Sequence, residues 1–390
     1  MSNSRSPTLP IYLDYHATTP LDPRVFDAMH PWLTGRFGNP SSVNHAYGWQ
    51  AADAVRHARE QIATLLHCEP EEVVFTSGAT ESNNLALKGL FRSGRASGRL
   101  IINPAEHNAV LDPARRLKRC GVQVDQVPVT GQGRVDPDRI AEALQQPADC
   151  VSVMWANNEV GTINDLAAIT QLCHAQKVLI HSDAAQALGR CELDLQQVPV
   201  DLLSLSAHKL YGPQGIGALI VHSEAAARRL EPLLEGGGHQ RHLRSGTLPV
   251  ALIVGFGEAC ELAGQEQAAE QARLRGLRDQ LWSRLQQALP DLTRNGGQEP
   301  CLAGNLNFSV PGVDGDRLMT AITEIAVSSG AACSTADREP SHVLRAMGVS
   351  SDLARASIRV GLGRPTTAAE IERAAESLIR VIGKLRGGSG

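Results

Sequence analysis

Through the first two thirds of this 390-residue chain, short apolar runs alternate with amphipathic stretches, and that alternation restricts the fold more than any other feature. Residues 72–76, 100–103, 150–154, 178–181, 202–205 and 216–221 read as short apolar strands. Helical patterns lie between most of them, as at 81–88 and 165–177. Such an order predicts an α/β unit built on a mostly parallel sheet. Polar, chemically capable residues follow several of these strands directly. In open α/β sheets, ligands bind outside the carboxyl ends of the strands.

The pattern then changes. A long helical repeat begins near Val254, with Leu274, Leu277, Leu281, Leu285 and Leu289 at spacings of three and four until Pro290. It reads as a bridge into a second domain. That domain closes on a helix from Thr367 to Arg386, where Thr367 and Glu370 have capping-box spacing and Ile371, Leu378, Val381, Ile382 and Leu385 form the apolar face. A chain of this length suggests two domains.

Composition, with 42% hydrophobic and 20% charged residues, is that of a soluble globular protein. A formal charge of -4 without a long basic block gives no reason to expect direct nucleic-acid binding. The densest basic cluster, Arg115, Arg116, Lys118 and Arg119, reads as a solvated helix face. No apolar run approaches the roughly 18 residues that span a membrane, and the first residues lack the apolar segment of a secretory signal. Eight cysteines without a Cys-x-x-Cys pair point to a reducing compartment, and a cytoplasmic protein is the expectation. Seven of them read as small buried apolar residues; Cys333 is the exception.

Lys209 ends the run Asp201-Leu-Leu-Ser-Leu-Ser-Ala-His-Lys209 and precedes a glycine-rich stretch. A strand-end lysine alone reads as a surface residue. With Ser206 and His208 as nearby donors, the place fits an anion plus an aldehyde, as pyridoxal phosphate (PLP) offers. Asp183 follows a buried strand, where it can cap a helix or hold a pyridine nitrogen. Thr76-Ser-Gly-Ala-Thr80 joins a strand to a helix whose free N–H groups, with the Thr80 hydroxyl, form a natural phosphate site. His107 is either structural or able to stack on a ring and shuttle protons. The glycine-rich basic stretch 236–247 reads as a linker or an anion-binding loop with Arg241, Arg244 and Thr247. Arg359, in a strand-like segment, offers a fork for a carboxylate or a surface ion pair.

Taken in order, these motifs resemble the cysteine desulfurase family, PLP-dependent enzymes of fold type I within the class-V aminotransferase superfamily. The resemblance runs from Tyr12-Leu-Asp-Tyr-His-Ala-Thr-Thr-Pro20 and Phe37-Gly-Asn-Pro-Ser41 through Thr76-Ser-Gly-Ala-Thr-Glu-Ser82, Asn157-Asn-Glu-Val-Gly161 and Ser206-Ala-His-Lys-Leu-Tyr-Gly-Pro213. It continues through Arg244-Ser-Gly-Thr-Leu-Pro249 to Ser328-Ser-Gly-Ala-Ala-Cys333 and Glu339-Pro-Ser-His-Val-Leu-Arg345, nearly the whole chain. It implies a large PLP-binding domain over 17–265 with a mixed, mostly parallel sheet. It also implies a smaller α+β domain from 1–16 and 266–390, which carries a cysteine loop at about 325–340.

By position, the resemblance makes Lys209 the Schiff-base lysine, His107 the ring-stacking residue and Asp183 the partner of the pyridine nitrogen. Asn158 and Gln186 contact the ring or its phenolic oxygen, and Ala79, Thr80, Ser206 and His208 bind the phosphate. Thr247 reaches the phosphate of the other subunit, which implies a homodimer. Arg359 takes the substrate carboxylate with Asn39 nearby, and Cys333 accepts sulfur on a long mobile loop. L-cysteine then yields L-alanine and a persulfide on Cys333, the thiolate being the nucleophile. The sulfur passes to an iron–sulfur scaffold, a sulfur-carrier protein or a tRNA-thiolation protein. The alternatives are a selenocysteine lyase or a class-V aminotransferase.

Three features depart from the family's pattern. The chain ends soon after its last helix, where housekeeping members carry a longer tail that helps dock the scaffold. Trp155 and Ala156 stand where a His-Val pair is familiar, and Ala185 replaces a hydroxyl residue.

Overall fold

The computed structural model describes residues 9–92, 98–329 and 339–387. Cys333 therefore lies outside the described residues. In chain order the first half contains β1 (Ile11–Tyr12), α1 (Pro23–Leu33), α2 (Ala46–Leu66), β2 (Val73–Thr76), α3 (Ala79–Leu90), β3 (Arg99–Ile102), α4 (Asn108–Arg119), β4 (Gln123–Gln126), α5 (Pro137–Ala143), β5 (Cys150–Ser152), α6 (Leu166–Ala175) and β6 (Leu179–Asp183). There follow β7 (Leu202–Ser206), β8 (Gly217–Val221), α7 (Glu224–Arg229) and the 39-residue α8 (Val250–Ala288). The last third holds β9 (Thr293–Asn295), β10 (Asn305–Ser309), α9 (Gly315–Ala321), β11 (Ile325–Ala326), β12 (Ser328–Ser329), α10 (His342–Ala346), α11 (Ser351–Arg355), β13 (Ser357–Gly361) and α12 (Ala368–Gly387).

The central sheet has seven strands in the order β2-β8-β7-β6-β5-β3-β4. The pairs from β7 through β4 are parallel, and β8 runs antiparallel to both of its neighbours. Strands β5, β6 and β7 are buried throughout, as expected when helices cover both faces of a sheet. One face packs against α1, α2 and the first half of α8 through Ile62, Leu66, Ile253 and Phe256. The other packs against α3 and α4 through Leu87, Leu90, Val110 and Leu117.

A second sheet, β12-β13-β10-β9, is antiparallel throughout. Its core gathers Phe308, Ile358 and Val360 with Leu274, Leu281 and Leu285 from the second half of α8 and Leu378 and Ile382 from α12. The leucine repeat thus faces this second core, while the first half of α8 belongs to the main one. The expected capping box at the start of α12 is reciprocal: Glu370 N donates to Thr367 Oγ1 at 3.2 Å, and Thr367 N donates to Glu370 Oε2 at 2.8 Å.

The cysteine expectation needs correction. Cys150, Cys173, Cys260 and Cys301 are buried, but Cys68 and Cys191 are only partly covered and Cys120 is exposed. Cys120 is the C-cap residue of α4 and follows the exposed Lys118 and Arg119 on the solvent side. The basic residues of α4 are exposed, as a solvated face requires.

Candidate active site

The strand ends at one edge of the central sheet deliver most of the chemistry. Beyond β7 the chain enters a single helical turn, Ala207–Lys209. From there Lys209 Nζ donates to the carbonyls of His16 at 2.5 Å and Ala17 at 2.7 Å. Burial, reinforced by the positive charges of Arg190 and Arg359, lowers the amine to about 7. A deprotonated lysine is therefore accessible near neutral pH, and that is the form that attacks an aldehyde.

Asp183 is the last residue of β6 and is nearly inaccessible. Its Oδ2 accepts from Asn83 Nδ2 at 2.7 Å and its Oδ1 from Ala185 N at 3.0 Å. Beyond β3, His107 caps α4, its Nδ1 accepting from Ala109 N at 3.0 Å. Its proton in the neutral form is consequently on Nε2.

At the start of α3, Gly78 is the N-cap with φ 148° and supplies no side chain to the free N–H groups of the first turn. A Cβ at Gly78 would meet only Ser206 Oγ, at 4.0 Å, which leaves a cradle open above the helix. An uncapped N-terminus of a twelve-residue helix favours an anion. Ser206 and His208 border it. Burial and the neighbouring Lys209 lower the His208 imidazole to about 4, so it is neutral and exchanges a hydrogen bond with Thr18 Oγ1 at 3.0 Å.

Arg359 arrives from the second sheet, on β13. Its Nη2 donates to Asp14 Oδ1 at 2.8 Å and its Nη1 to the carbonyl of Asn158 at 3.0 Å, while Nε is buried without a partner. Asp14 also accepts from Ser328 Oγ at 2.9 Å.

These residues meet in one cavity of about 790 Å³. Ala79, Thr80, His107, Asn158, Asp183, Gln186, Ser206, His208, Lys209 and Arg359 all line it. Asn39 and Thr247 are exposed and are not among its lining residues. Ala156 and Ala185 face the cavity, whereas Trp155 turns into the main core. No described cysteine lines it. Ser328 and Ser329 on one side, and His342 on the other, bring the described ends of segment 330–338 onto its wall.

The donor set fits PLP: an uncapped helix start for the phosphate, a buried carboxylate for the pyridinium, an imidazole beside it and an amine with a depressed pKa. Known proteins agree. The aminotransferase class-V model matches residues 11–374. The chain belongs to the class-V aminotransferase family. Within that family it is 48% identical to the cysteine desulfurase IscS of Shewanella loihica over 381 residues, covering 97% of this chain and 94% of that protein. A solved NifS-like protein superimposes with TM-score 0.89 at 33% identity, covering 97% and 100% of the two chains. The structure titled SspA in complex with cysteine superimposes with TM-score 0.80 at 34% identity, covering 90% and 98%.

Sequence reasoning missed several residues of this class-V aminotransferase-family site: His16, Asn83, Glu106, Arg190 and Asp14. Glu106 is fully buried, and burial together with the charge of Asp183 raises it to about 8. Arg190 spans the floor, donating to Gln186 Oε1 at 2.5 Å and to the carbonyls of Tyr15 at 2.7 Å and Lys209 at 3.0 Å. His16 and Asp14 stand inside a recognised motif and Asn83 and Glu106 beside one, so a search for polar residues within and next to those motifs was the available signal. Arg190 had none.

Proposed function

We propose that this protein is a PLP-dependent cysteine desulfurase that converts L-cysteine to L-alanine and leaves a persulfide on Cys333. The observation that carries the reading is the convergence of Lys209, Asp183, His107 and Arg359 on one cavity. Bound there, PLP supplies an electron sink for the carbanion that forms at the substrate α-carbon. Lys209, neutral near pH 7, moves the α-proton. Asp183 holds the ring nitrogen protonated, with Asn83 fixing its orientation. His107 stacks on the ring. Asn158 and Gln186 contact the ring or its phenolic oxygen. Ala79, Thr80, Ser206 and His208 hold the phosphate at the start of α3. Arg359 binds the substrate carboxylate, with Asn39 nearby.

Cys333 forms the S–S bond as the substrate C–S bond breaks, and the electron pair stays with carbon, which is then protonated to alanine. Two facts support Cys333. Burial pushes the thiols of Cys68, Cys173 and Cys191 up to about 12 and those of Cys150 and Cys260 higher, so they offer little thiolate. Cys333 follows Ser329, on the cavity wall, by four residues, and an extended chain covers at most about 14 Å in that span.

The sulfur is passed to an acceptor protein of iron–sulfur cluster assembly or tRNA thiolation. The enzyme is a cytoplasmic homodimer in which Thr247 reaches the partner's phosphate site. Phe37 and Tyr47, which stack, and Val43 and Trp49, which are hydrogen-bonded, are all exposed, and this apolar surface supports packing of a second copy. Among the described residues no helix is long and apolar enough to cross a membrane. The domain division near 265 is part of the proposal, supported by the two cores that share α8.

Mass spectrometry of the cysteine-treated holoenzyme tests the reading. One added sulfur on Cys333, with stoichiometric alanine, is expected. Sulfide release at the wild-type rate by Cys333→Ala, with reductant present, would sink it.

A further inference from the structure

His16 lines the cavity, and its contact with a cation bears on its tautomer. Arg190 Nη1 donates to His16 Nδ1 at 2.8 Å. Nδ1 also lies 3.1 Å from Gln186 Oε1, an acceptor, so the two contacts compete for its role. Arginine can only donate, and its contact is the shorter, which favours a lone pair on Nδ1 and the proton on Nε2. The same Arg190 nitrogen donates to Gln186 Oε1, which places both acceptors around one donor. Burial, with the positive charges of Arg190, Arg359 and Lys209 close by, keeps the ring neutral. Nothing pairs with Nε2: it is buried without a partner, in a residue only 2% exposed that lines the cavity.

The ring's location says what ligand atom is missing. A Cβ on Gly361 would lie 2.7 Å from His16 Cδ2, the atom bonded to Nε2. Gly361 and Arg359 are two apart on β13 and share one face of the strand. His16 thus occupies the place a side chain would take beside Arg359. Arg359 Nε is itself buried and unpaired. His16 and Arg359 thus both line the cavity, and each has a buried nitrogen without a partner. An unpaired buried donor is costly unless a ligand supplies the acceptor.

We propose that His16 Nε2–H is a second donor to the substrate carboxylate beside Arg359, and that Arg190 is the positioning residue that fixes its tautomer. The inference rests on the cysteine desulfurase reading of the cavity. It makes His16 a specificity residue for the amino-acid carboxylate.

The test uses holoenzyme with His16→Leu and His16→Gln, the second of which retains an N–H donor. His16→Leu raises the KM for L-cysteine about ten-fold or more with kcat within about three-fold, the loss expected for one hydrogen bond to a charged group. His16→Gln restores most of that loss. The KM for cysteamine, which lacks the carboxylate, is the same in all three proteins. An unchanged KM for cysteine in His16→Leu, or an equal rise for cysteine and cysteamine, overturns the proposal.

Equilibrium dialysis of L-alanine against ethylamine gives the same comparison without turnover. If the wild type made no alanine from cysteine, the desulfurase reading would fail, yet a His16-dependent preference for L-alanine would still read out the carboxylate contact. Nitrogen-15 NMR supplies a structural readout: His16 stays in the Nε2–H form from pH 6 to 8 in the wild type and loses that fixed tautomer in Arg190→Met. A His16 resonance in the Nδ1–H form in the wild type overturns the assignment.

Discussion

Replacing Glu106 by Gln should stabilise the protein above neutral pH, and the structure gives the size of the effect. Glu106 Oε1 accepts from Asn103 Nδ2 at 2.5 Å and Met154 N at 2.7 Å, while Oε2 is buried without a partner. A glutamine keeps the two accepted bonds and exchanges one unpaired atom for another. The titration, however, is removed. Burial and the charge of Asp183 raise the folded carboxyl from 4.5 to about 8. Between those values the folded state keeps its proton and the unfolded state has lost it, so wild-type stability falls as pH rises. The slope is about 1.4 kcal/mol per pH unit for one proton, so the whole window is worth on the order of 5 kcal/mol. Glu159, raised to about 7 by burial, titrates in both proteins and cancels in the difference. Urea unfolding at pH 5, 6, 7 and 8 with saturating PLP reads that difference directly. Wild type and variant should be closest in stability at pH 5 and diverge steadily toward pH 8, the variant being the more stable. Parallel profiles would mean that Glu106 is ionised in the folded protein, and the argument from burial would be wrong.

Two further outcomes follow from the same geometry. In cofactor-free protein, competitive labelling of amines should show Lys209 half-reactive near pH 7, whereas exposed lysines react only as pH approaches about 10; labelling of Lys209 that tracks the exposed lysines would refute the depressed value. Gly217→Ala should destabilise by about 2–3 kcal/mol and weaken PLP retention, because its Cβ would lie 2.3 Å from Leu205 O and 2.7 Å from Gly78 Cα, both backbone atoms. Gly276→Ala, within α8 and with nothing within 4 Å, should instead add about 1 kcal/mol in the same unfolding assay.

What the sequence revealed, and what it hid, divides by distance along the chain. The strands β5 to β8 are buried throughout and each contains a short apolar run, and the reactive residues lie at or just past their ends, as Asp183 ends β6 and Lys209 comes three residues after β7. Such sites are legible because the signal and the residue share one local segment. Strand β4 escaped because it is an edge strand with exposed Gln123 and Gln126 and little apolar content. Strands β1, β11 and β12 have two residues each, too few for any periodicity. The polar floor was illegible for a different reason. Asn83 meets Asp183 across 100 positions, and Arg190 meets Tyr15 across 175. A buried arginine and a surface arginine read alike until the fold supplies the partners.

That floor explains why the cavity can hold cations so close together. The charges of Arg190 and Arg359 help lower the Lys209 amine, and His16 and His208 add no charge because burial holds both neutral. The negative charge opposing them comes from Asp14, paired with Arg359, and from Asp183. Asp14 is fixed to Arg359 and Ser328, and Asp183 to Asn83 and the Ala185 amide. Unmade hydrogen bonds, rather than a surplus of charge, are left for ligand anions to satisfy. The two places built to receive them come from different sheets: the uncapped start of α3 from the seven-stranded sheet, and Arg359 with its unpaired Nε from the four-stranded one. A ligand carrying an anion at each end thus ties the two sheets together, with Lys209 on the same cavity wall. Either anion alone leaves one receptor unsatisfied, so a ligand carrying both should bind more tightly than one lacking either, and equal affinities in a binding comparison would refute the argument.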